Sequence, residues 1–144
     1  RKKEGSPVRK TGINVNPKIK EIYIEAVKKI CEAGDDNHYG SSAEHDVDCL
    51  QALSRRIHFG DHVAEAKFQQ DPESYTTLVK IGDVEGIRAK LTDKGVEQAV
   101  LERVRQKGER YNVNPEFIET FYRDKIIPLT IDVEIEYFIR RGLD

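Results

Sequence analysis

The apolar residues of this 144-residue chain recur at helical spacing, and this periodicity restricts its fold more than any other feature. No segment holds the strict alternation of apolar and polar residues that a strand requires. Asn16-Pro17 is a typical helix start, and apolar residues then follow at three- and four-residue steps to about Gly34. A second pair, Asn114-Pro115, predicts a final helical stretch to about Arg141. The pattern therefore predicts an all-α fold.

The longest periodic segment extends from about Ser42 to about Gln69. At about 1.5 Å per residue it predicts one long central helix of roughly 40 Å. Capping and stop signals predict shorter helices over about 72–81, 83–91 and 92–108. Pro128 lies inside the last helical stretch and predicts a kink or break just before it. We expect a helical bundle with one long central helix.

Charge and composition exclude several classes of protein. Formal net charge is −2, with 24 basic and 26 acidic residues, which argues against non-specific binding to nucleic acid or to a membrane surface. No apolar run approaches the roughly 18 residues that a membrane-spanning helix needs. Residues 1–12 are basic and contain Gly5, Pro7 and Gly12, so we expect a flexible tail before a domain over 13–144. The chain contains no Met and begins with Arg1, so we expect residues before it in the gene product.

Two cations share one face of the predicted long helix. Arg56 and Lys67 are eleven residues apart, which is about 20° beyond three full turns. The face between these two cations is occupied by residues with small side chains or none: Gly60, Val63 and Ala64. Such a face is a plausible cradle for a small anion. The alternative is that both cations are solvated or paired with nearby carboxylates, as surface charges usually are.

Carboxyl groups and a hydroxyl also occur at helical spacing. Thr130 and Glu134 are one helical turn apart. Glu134 and Glu136 lie in a strongly apolar segment and point about 160° apart, so one of these two glutamates should face inward. Asp93 and Glu97 form a similar pair at a helix start, where acidic residues are also expected from the helix dipole alone. His58 and His62 have a spacing that suits zinc, but no third ligand has motif support. We expect no metal and no cofactor, and no phosphate loop or nucleophile elbow is present.

Several long motifs resemble the eukaryotic, yeast- and plant-type chorismate mutases. The segments at 49–60, Cys-Leu-Gln-Ala-Leu-Ser-Arg-Arg-Ile-His-Phe-Gly, and at 63–69, Val-Ala-Glu-Ala-Lys-Phe-Gln, resemble the long central helix of that family. Segments 34–41, 83–97 and 127–141 resemble its neighbouring elements. The similarity covers roughly residues 13–144. It implies an all-helical isomerase that converts chorismate to prephenate in aromatic amino acid biosynthesis, with no cofactor.

The resemblance also implies roles for individual residues. Arg56 matches an arginine that binds a substrate carboxylate, and Lys67 a lysine that contacts a carboxylate and the ether oxygen. Glu97 matches a glutamate that receives the ring hydroxyl. Thr130 matches a threonine near a carboxylate, and Glu134 a carboxyl group beside the ether oxygen. Asp93 matches a substrate-binding position where the yeast enzyme has Asn.

Other features of the family concern regulation and missing segments. The resemblance implies a cytoplasmic homodimer that senses tyrosine and tryptophan, with effector-binding positions matched by His38, Gly40, Ser41 and Glu44. His38 and Glu44 differ from the yeast pattern. The N-terminal part of the family domain, with a further carboxylate-binding arginine, is expected to precede this chain, and the segment between Lys107 and Asn114 is shorter than in relatives. A catalytically inactive interaction domain, and secreted or plastid forms, remain alternatives.

Overall fold

The computed structural model describes residues 8–34, 43–110 and 114–141, with side chains described for all of these except 27–34 and 43–48. Every regular element in these ranges is helical, so the prediction of an all-α fold is confirmed. In chain order the elements are α1 (Asn16–Gly34), α2 (Ala43–His58), α3 (Gly60–Gln70), α4 (Pro72–Ile81), α5 (Val84–Leu91), α6 (Lys94–Arg110), α7 (Pro115–Phe121), a π-helical turn (Tyr122–Ile126) and α8 (Ile127–Arg141).

The predicted start and stop signals lie where the helices begin and end. The Asp83 carboxylate accepts a hydrogen bond from the Gly86 amide at the start of α5. The Asn114 side chain accepts from the amides of Glu116 and Phe117 at the start of α7. Both contacts satisfy amides that have no partner within the helix. Gly82 ends α4 with a φ of 71°, a left-handed conformation that glycine adopts readily.

The predicted long helix is present as α2 and α3, which meet at Phe59. The backbone of Phe59 stays in the right-handed helical region, and its amide still donates to the Arg55 carbonyl. The next turn tightens, because the His62 amide donates to the Phe59 carbonyl three residues earlier. Gly60 follows at once and lies against α8, where an added Cβ would be 3.0 Å from the Thr130 carbonyl oxygen. The interruption therefore coincides with a close contact between α3 and α8.

The expected break before Pro128 is a π-helical turn. The Ile127 amide donates to the Tyr122 carbonyl five residues earlier, which makes the turn wider than an α-helical one. Pro128 has no amide hydrogen and so cannot donate the next hydrogen bond of the α-helix. A wider turn just before Pro128 therefore gives up no hydrogen bond that this residue could have made. The chain continues through this turn into α8 without leaving the helical path.

Two buried clusters form the core of the described part of the chain, and α8 contributes to both. The first cluster contains Phe68 of α3, Tyr75 of α4 and Phe138 of α8. The rings of Tyr75 and Phe138 are stacked, with their centres 4.6 Å apart. The other joins Ile19 of α1 and Ile57 of α2 to Val133 of α8. Helix α8 therefore contributes to both clusters, whereas α6 packs against α7 and the π-helical turn.

The segment that precedes α1 lies along the C-terminal end of α8. The Arg9 amide donates to the Tyr137 hydroxyl, and the Arg140 guanidinium donates to the Thr11 carbonyl. The division into a tail over 1–12 and a domain over 13–144 stays a prediction. Across the described helices, none combines the length and apolarity needed to cross a bilayer.

Candidate active site

A cavity of about 230 Å³ opens between α2, α3, α6 and α8. All six residues that the sequence analysis placed in the substrate site line this one cavity: Arg56, Lys67, Asp93, Glu97, Thr130 and Glu134. They come from positions as far apart as 56 and 134 in the chain. The fold therefore brings together a guanidinium, an ammonium, three carboxyl groups and a hydroxyl.

Arg56 supplies an uncommitted positive charge at one end of the cavity. Its guanidinium carbon lies 5.2 Å from the centre of the Tyr122 ring, a cation–π distance. Its side chain forms no hydrogen bond or ion pair with any described residue. Arg56 is exposed, so for the described part of the chain its guanidinium is solvated and is not neutralised by a nearby carboxylate.

Lys67 is held between α5 and α8. Its ammonium donates to the Leu91 carbonyl at 2.9 Å, and lies 3.5 Å from Oε1 of Glu134. An ammonium has three protons to donate, so one remains for a ligand in the cavity. The Lys67 side chain is one-third exposed, so it can reach a bound anion without leaving its protein partners.

Glu134 is the buried carboxyl group of the site. Its side chain is 6% exposed, whereas Glu136 lies on the outer face and pairs with Arg140. The prediction that one of these two glutamates faces inward is therefore confirmed. Burial raises the pKa of Glu134, and the nearby charge and hydrogen bond of Lys67 oppose that rise only in part. A carboxyl group in this position holds its proton to higher pH than an ordinary glutamate, and can then donate a hydrogen bond.

Asp93 and Glu97 line the side of the cavity formed by α6. The Asp93 carboxylate accepts from the Val96 amide at 3.1 Å and so caps α6. The half-buried Glu97 carboxylate one turn later has no ion-pair partner among the described residues. The helix dipole favours a carboxylate at both positions, and Glu97 lies in the first turn of α6. This interaction uses no hydrogen bond, so the Glu97 carboxylate remains available to accept one from a ligand.

Thr130 presents a hydroxyl whose proton is already used. Its Oγ donates to the Ile126 carbonyl at 2.8 Å, one turn earlier in the helix. The remaining capacity of a hydroxyl in this state is two acceptor lone pairs. Thr130 would have to rotate away from Ile126 to donate to a carboxylate.

Apolar residues complete the wall, and the sequence analysis did not single out most of them. Phe59, Leu91, Val96, Val100, Ile127 and Ile131 line the cavity with Gly60 and Val63. Ala64, placed in the cradle from helical spacing, is fully buried in the core instead. It lies about 80° around the helix axis from Arg56, which is far enough to turn it away from the cavity.

Other predicted positions lie elsewhere. His38, Gly40 and Ser41 lie outside the described residues; Glu44 is in α2, but its side chain is not described. His58 accepts a hydrogen bond at Nε2 from the Val15 amide, and its Nδ1 contacts the Ser54 carbonyl, whereas His62 pairs with Asp61. No group of three metal-ligating side chains occurs in the ranges that the structure describes.

This arrangement suits one kind of ligand and one kind of chemistry. Two cations at different points of a small, partly apolar cavity fit a compact molecule with more than one negative group. A protonated carboxyl group beside an ammonium can stabilise negative charge that develops on an oxygen during a reaction. The fold and site define an all-helical protein with a small cavity that is lined by two cations, three carboxyl groups and a hydroxyl.

The chain belongs to the chorismate mutase type II family. The model of that family matches residues 38–135, which include every residue of the cavity. The resemblance seen in the sequence is thereby confirmed.

Individual relatives agree in sequence and in fold. The chain is 46% identical over 143 residues to the chorismate mutase of Saccharomyces cerevisiae, an alignment that covers 90% of this chain and 56% of the relative. Aro7p chorismate mutase from Candida albicans, solved in complex with L-Trp, superposes with a TM-score of 0.78 at 44% identity, over 90% of this chain and 54% of that one. AtCM1, solved with phenylalanine and with tyrosine bound in its allosteric site, gives 0.79 at 40% identity, over 92% and 57%. The chain spans about half the length of the curated relatives it matches.

Proposed function

We propose that the full-length protein is a chorismate mutase, an isomerase that converts chorismate to prephenate in the biosynthesis of aromatic amino acids. One observation carries this proposal: the six residues that match substrate-binding positions of the family line a single cavity of about 230 Å³. Chorismate is a small dicarboxylate with a ring hydroxyl and an ether bridge. The cavity offers cations, acceptors and a donor for those groups.

The reaction is an intramolecular rearrangement in which one C–O bond breaks as one C–C bond forms. It needs no nucleophile and forms no covalent intermediate. The substrate must be held in a compact, chair-like shape, and fixing its carboxylates lowers the entropic part of the barrier. Arg56 and Lys67 are the proposed carboxylate-binding groups. Glu97 accepts from the ring hydroxyl, with Asp93 and Thr130 beside it as further polar contacts.

Stabilisation of the transition state depends on the ether oxygen. Negative charge grows on this oxygen as the C–O bond breaks, so a donor aimed at it binds the transition state more tightly than the ground state. The proposed donors are the Lys67 ammonium and the protonated Glu134 carboxyl group. Their 3.5 Å separation allows both to contact the same atom of a ligand that lies beside them.

The test is turnover of chorismate by the full-length protein. Loss of chorismate absorbance is followed with and without protein, and NMR identifies the product, because an isomerisation leaves the mass unchanged. The proposal predicts prephenate at a rate proportional to protein concentration, and a large loss in the Arg56→Ala variant. A folded full-length protein that leaves chorismate unchanged would instead favour the inactive interaction domain.

We further propose that the protein is a homodimer that senses aromatic amino acids. Solved relatives were crystallised with L-Trp or with phenylalanine or tyrosine in an allosteric site, which supports such effectors here. The proposed effector residues are His38, Gly40, Ser41 and Glu44. Sedimentation of the full-length protein tests the dimer, and chorismate turnover with added tyrosine or tryptophan tests the effectors. A cytoplasmic location stays a prediction.

A further inference from the structure

A buried ion pair joins the middle of α3 to the last turn of α8. The Glu65 side chain is 1% exposed and that of Arg141 3% exposed, and their closest atoms are 2.8 Å apart. The Tyr137 hydroxyl and the Gln69 amide also donate to this carboxylate. Burial alone would raise the pKa of Glu65, but these donors and the Arg141 charge hold the pKa below its ordinary value. Glu65 is therefore a buried, ionised carboxylate.

The pair is part of a closed ring of hydrogen bonds. The Arg9 amide donates to the Tyr137 hydroxyl at 3.0 Å, and the Arg9 guanidinium donates to the Arg141 carbonyl, also at 3.0 Å. The Arg141 guanidinium lies 4.0 Å from the centre of the Phe68 ring. The ring thus joins the segment before α1, the middle of α3 and the last turn of α8.

A buried ion pair is an inefficient way to hold two helices together. Removing two charges from water is costly, and apolar side chains of similar size often stabilise a fold as well or better. The best-attested role of buried polar groups is to fix the register between packed elements. A register role requires that something else at the interface depend on the alignment of the two helices.

The Lys67–Glu134 contact depends on that alignment. Helices α3 and α8 run in the same direction, since Gly60 lies against Thr130 and Phe68 against Phe138. Lys67 follows Glu65 by two residues, and Arg141 follows Glu134 by seven, which is about two turns. A slip of one residue displaces a helix by about 1.5 Å. That displacement is enough to break a contact of 3.5 Å between Lys67 and Glu134.

We propose that Glu65 is a positioning residue which, through Arg141 and Tyr137, sets the register of α3 against α8 and so places Lys67 beside Glu134. The assignment rests on the proposed function. It predicts that the charged pair matters for rate even where it does not matter for stability.

The experiment compares three variants of the full-length protein with the unmodified protein. Glu65→Gln removes one charge, and Glu65→Leu combined with Arg141→Met replaces the pair by apolar side chains. The matched control replaces an exposed pair on α8, Glu136→Leu combined with Arg140→Met, whose side chains are 42% and 44% exposed. Melting temperature, kcat, KM for chorismate and the pH dependence of kcat are measured for each.

The expected result separates stability from rate. Glu65→Gln lowers the melting temperature, because the buried Arg141 guanidinium loses the carboxylate that lies 2.8 Å from it. The double variant recovers only part of that temperature, because the buried Tyr137 hydroxyl loses its acceptor with Glu65. Its kcat stays roughly tenfold to a hundredfold below the unmodified protein, while KM changes less. The alkaline limb of its kcat profile also moves to higher pH, since a displaced Lys67 no longer lowers the pKa of Glu134. Arg56, Asp93, Glu97 and Tyr75, the other ionisable groups near Glu134, are unchanged in this variant. The control pair leaves kcat and its profile unchanged.

A folded double variant with unmodified kcat and an unmoved pH profile would overturn the assignment, whatever its melting temperature. If the double variant does not fold, Tyr137→Phe decides, because it removes one hydrogen bond of the ring and keeps the aromatic packing. An unaltered kcat and profile in Tyr137→Phe then overturns the assignment, and a lowered kcat with a shifted alkaline limb supports it. Absence of turnover by the unmodified protein would overturn the proposed function and this assignment together, whereas turnover with an unaffected variant overturns this assignment alone.

Discussion

The Lys67 ammonium lies 3.5 Å from the Glu134 carboxyl group, on the wall of a cavity that also contains Arg56. The two groups oppose one another in their effect on protonation. Burial favours the neutral form of Glu134, whereas Lys67 favours the ionised form, and burial is the larger effect. This contact places a proton donor and a fixed positive charge at the same point of the cavity.

Replacement of Arg56 tests carboxylate binding. Arg56→Ala removes a cation that has no carboxylate partner among the described residues, and should lower kcat/KM by about 2–4 kcal/mol, or roughly 30- to 1,000-fold. Steady-state kinetics with chorismate measure this loss. Arg55→Ala is the matched control: Arg55 is exposed like Arg56 but does not line the cavity, so its replacement should leave kcat/KM unchanged. Equal losses in the two variants would contradict a specific role for Arg56.

Asp93 adds a third carboxyl group to a cavity proposed for a dianion. Asp93→Asn keeps an oxygen that can cap α6 and removes one negative charge, so KM for chorismate should fall by a few-fold, as expected for an exposed charge worth about 0.2–1 kcal/mol. The difference should shrink at high salt, which screens exposed charges. Kinetics at two ionic strengths measure both effects. A raised KM in Asp93→Asn would show instead that substrate binding needs the negative charge of Asp93 and not only an oxygen atom at this position.

Gly60 sets the distance between α3 and α8 at the cavity. An added Cβ would lie 3.0 Å from the Thr130 carbonyl and 3.3 Å from a Val133 methyl. Gly60→Ala should therefore push the helices apart, lower the free energy of unfolding by about 1–3 kcal/mol and reduce kcat. Denaturant unfolding and kinetics check the two effects. In Gly95→Ala, the control in exposed α6, the new Cβ meets only an Asp93 oxygen at 3.4 Å, so stability should hold or rise. An unchanged free energy of unfolding in Gly60→Ala would show that α8 can move away from the new methyl group at little cost, and would contradict this role of Gly60.

The raised pKa of Glu134 makes stability depend on pH. In the unfolded chain this carboxyl group ionises near its ordinary pKa of 4.5, and in the folded protein at a higher pH. The folded state therefore binds more protons between these two values. The contribution to stability is complete below the unfolded pKa and is lost as pH rises through the folded pKa. Glu134→Gln should remove this decline, and Glu136→Gln, on the exposed face, should keep it. Thermal melts over a pH series measure the difference, and parallel curves for both variants and the unmodified protein would contradict it.

Helix boundaries were the most predictable part of this fold. Asn-Pro pairs, Asp83 and Gly82 act on backbone groups within one turn of themselves, so the sequence alone locates the ends of α4, α5 and α7. Pro128 likewise predicts a disturbance just before it, because the missing amide is a local property. The form of this disturbance, a π-helical turn, depends on how α7 and α8 pack, so residue spacing could not predict it.

The site was predictable where a helix face decided the outcome. Spacing alone puts Arg56 and Lys67 on one face, and Thr130 with Glu134 on another. It could not show that these faces meet, nor that Lys67 would bind the Leu91 carbonyl, 24 residues further along the chain. The pair of Glu65 and Arg141 is 76 residues apart, and nothing local distinguishes either from a surface charge. From the sequence, only the resemblance to a known family indicates that these helix faces form one site.

The pH dependence of kcat tests the central claim, that a protonated Glu134 beside Lys67 donates to the substrate. The unmodified full-length protein should lose activity as pH rises and Glu134 ionises, because a carboxylate cannot donate a hydrogen bond. In Glu134→Gln the amide donates at every pH, so the alkaline decline of kcat should disappear. A kcat in Glu134→Gln that still falls with the unmodified profile, or full activity at all pH values in Glu134→Ala, would contradict the account.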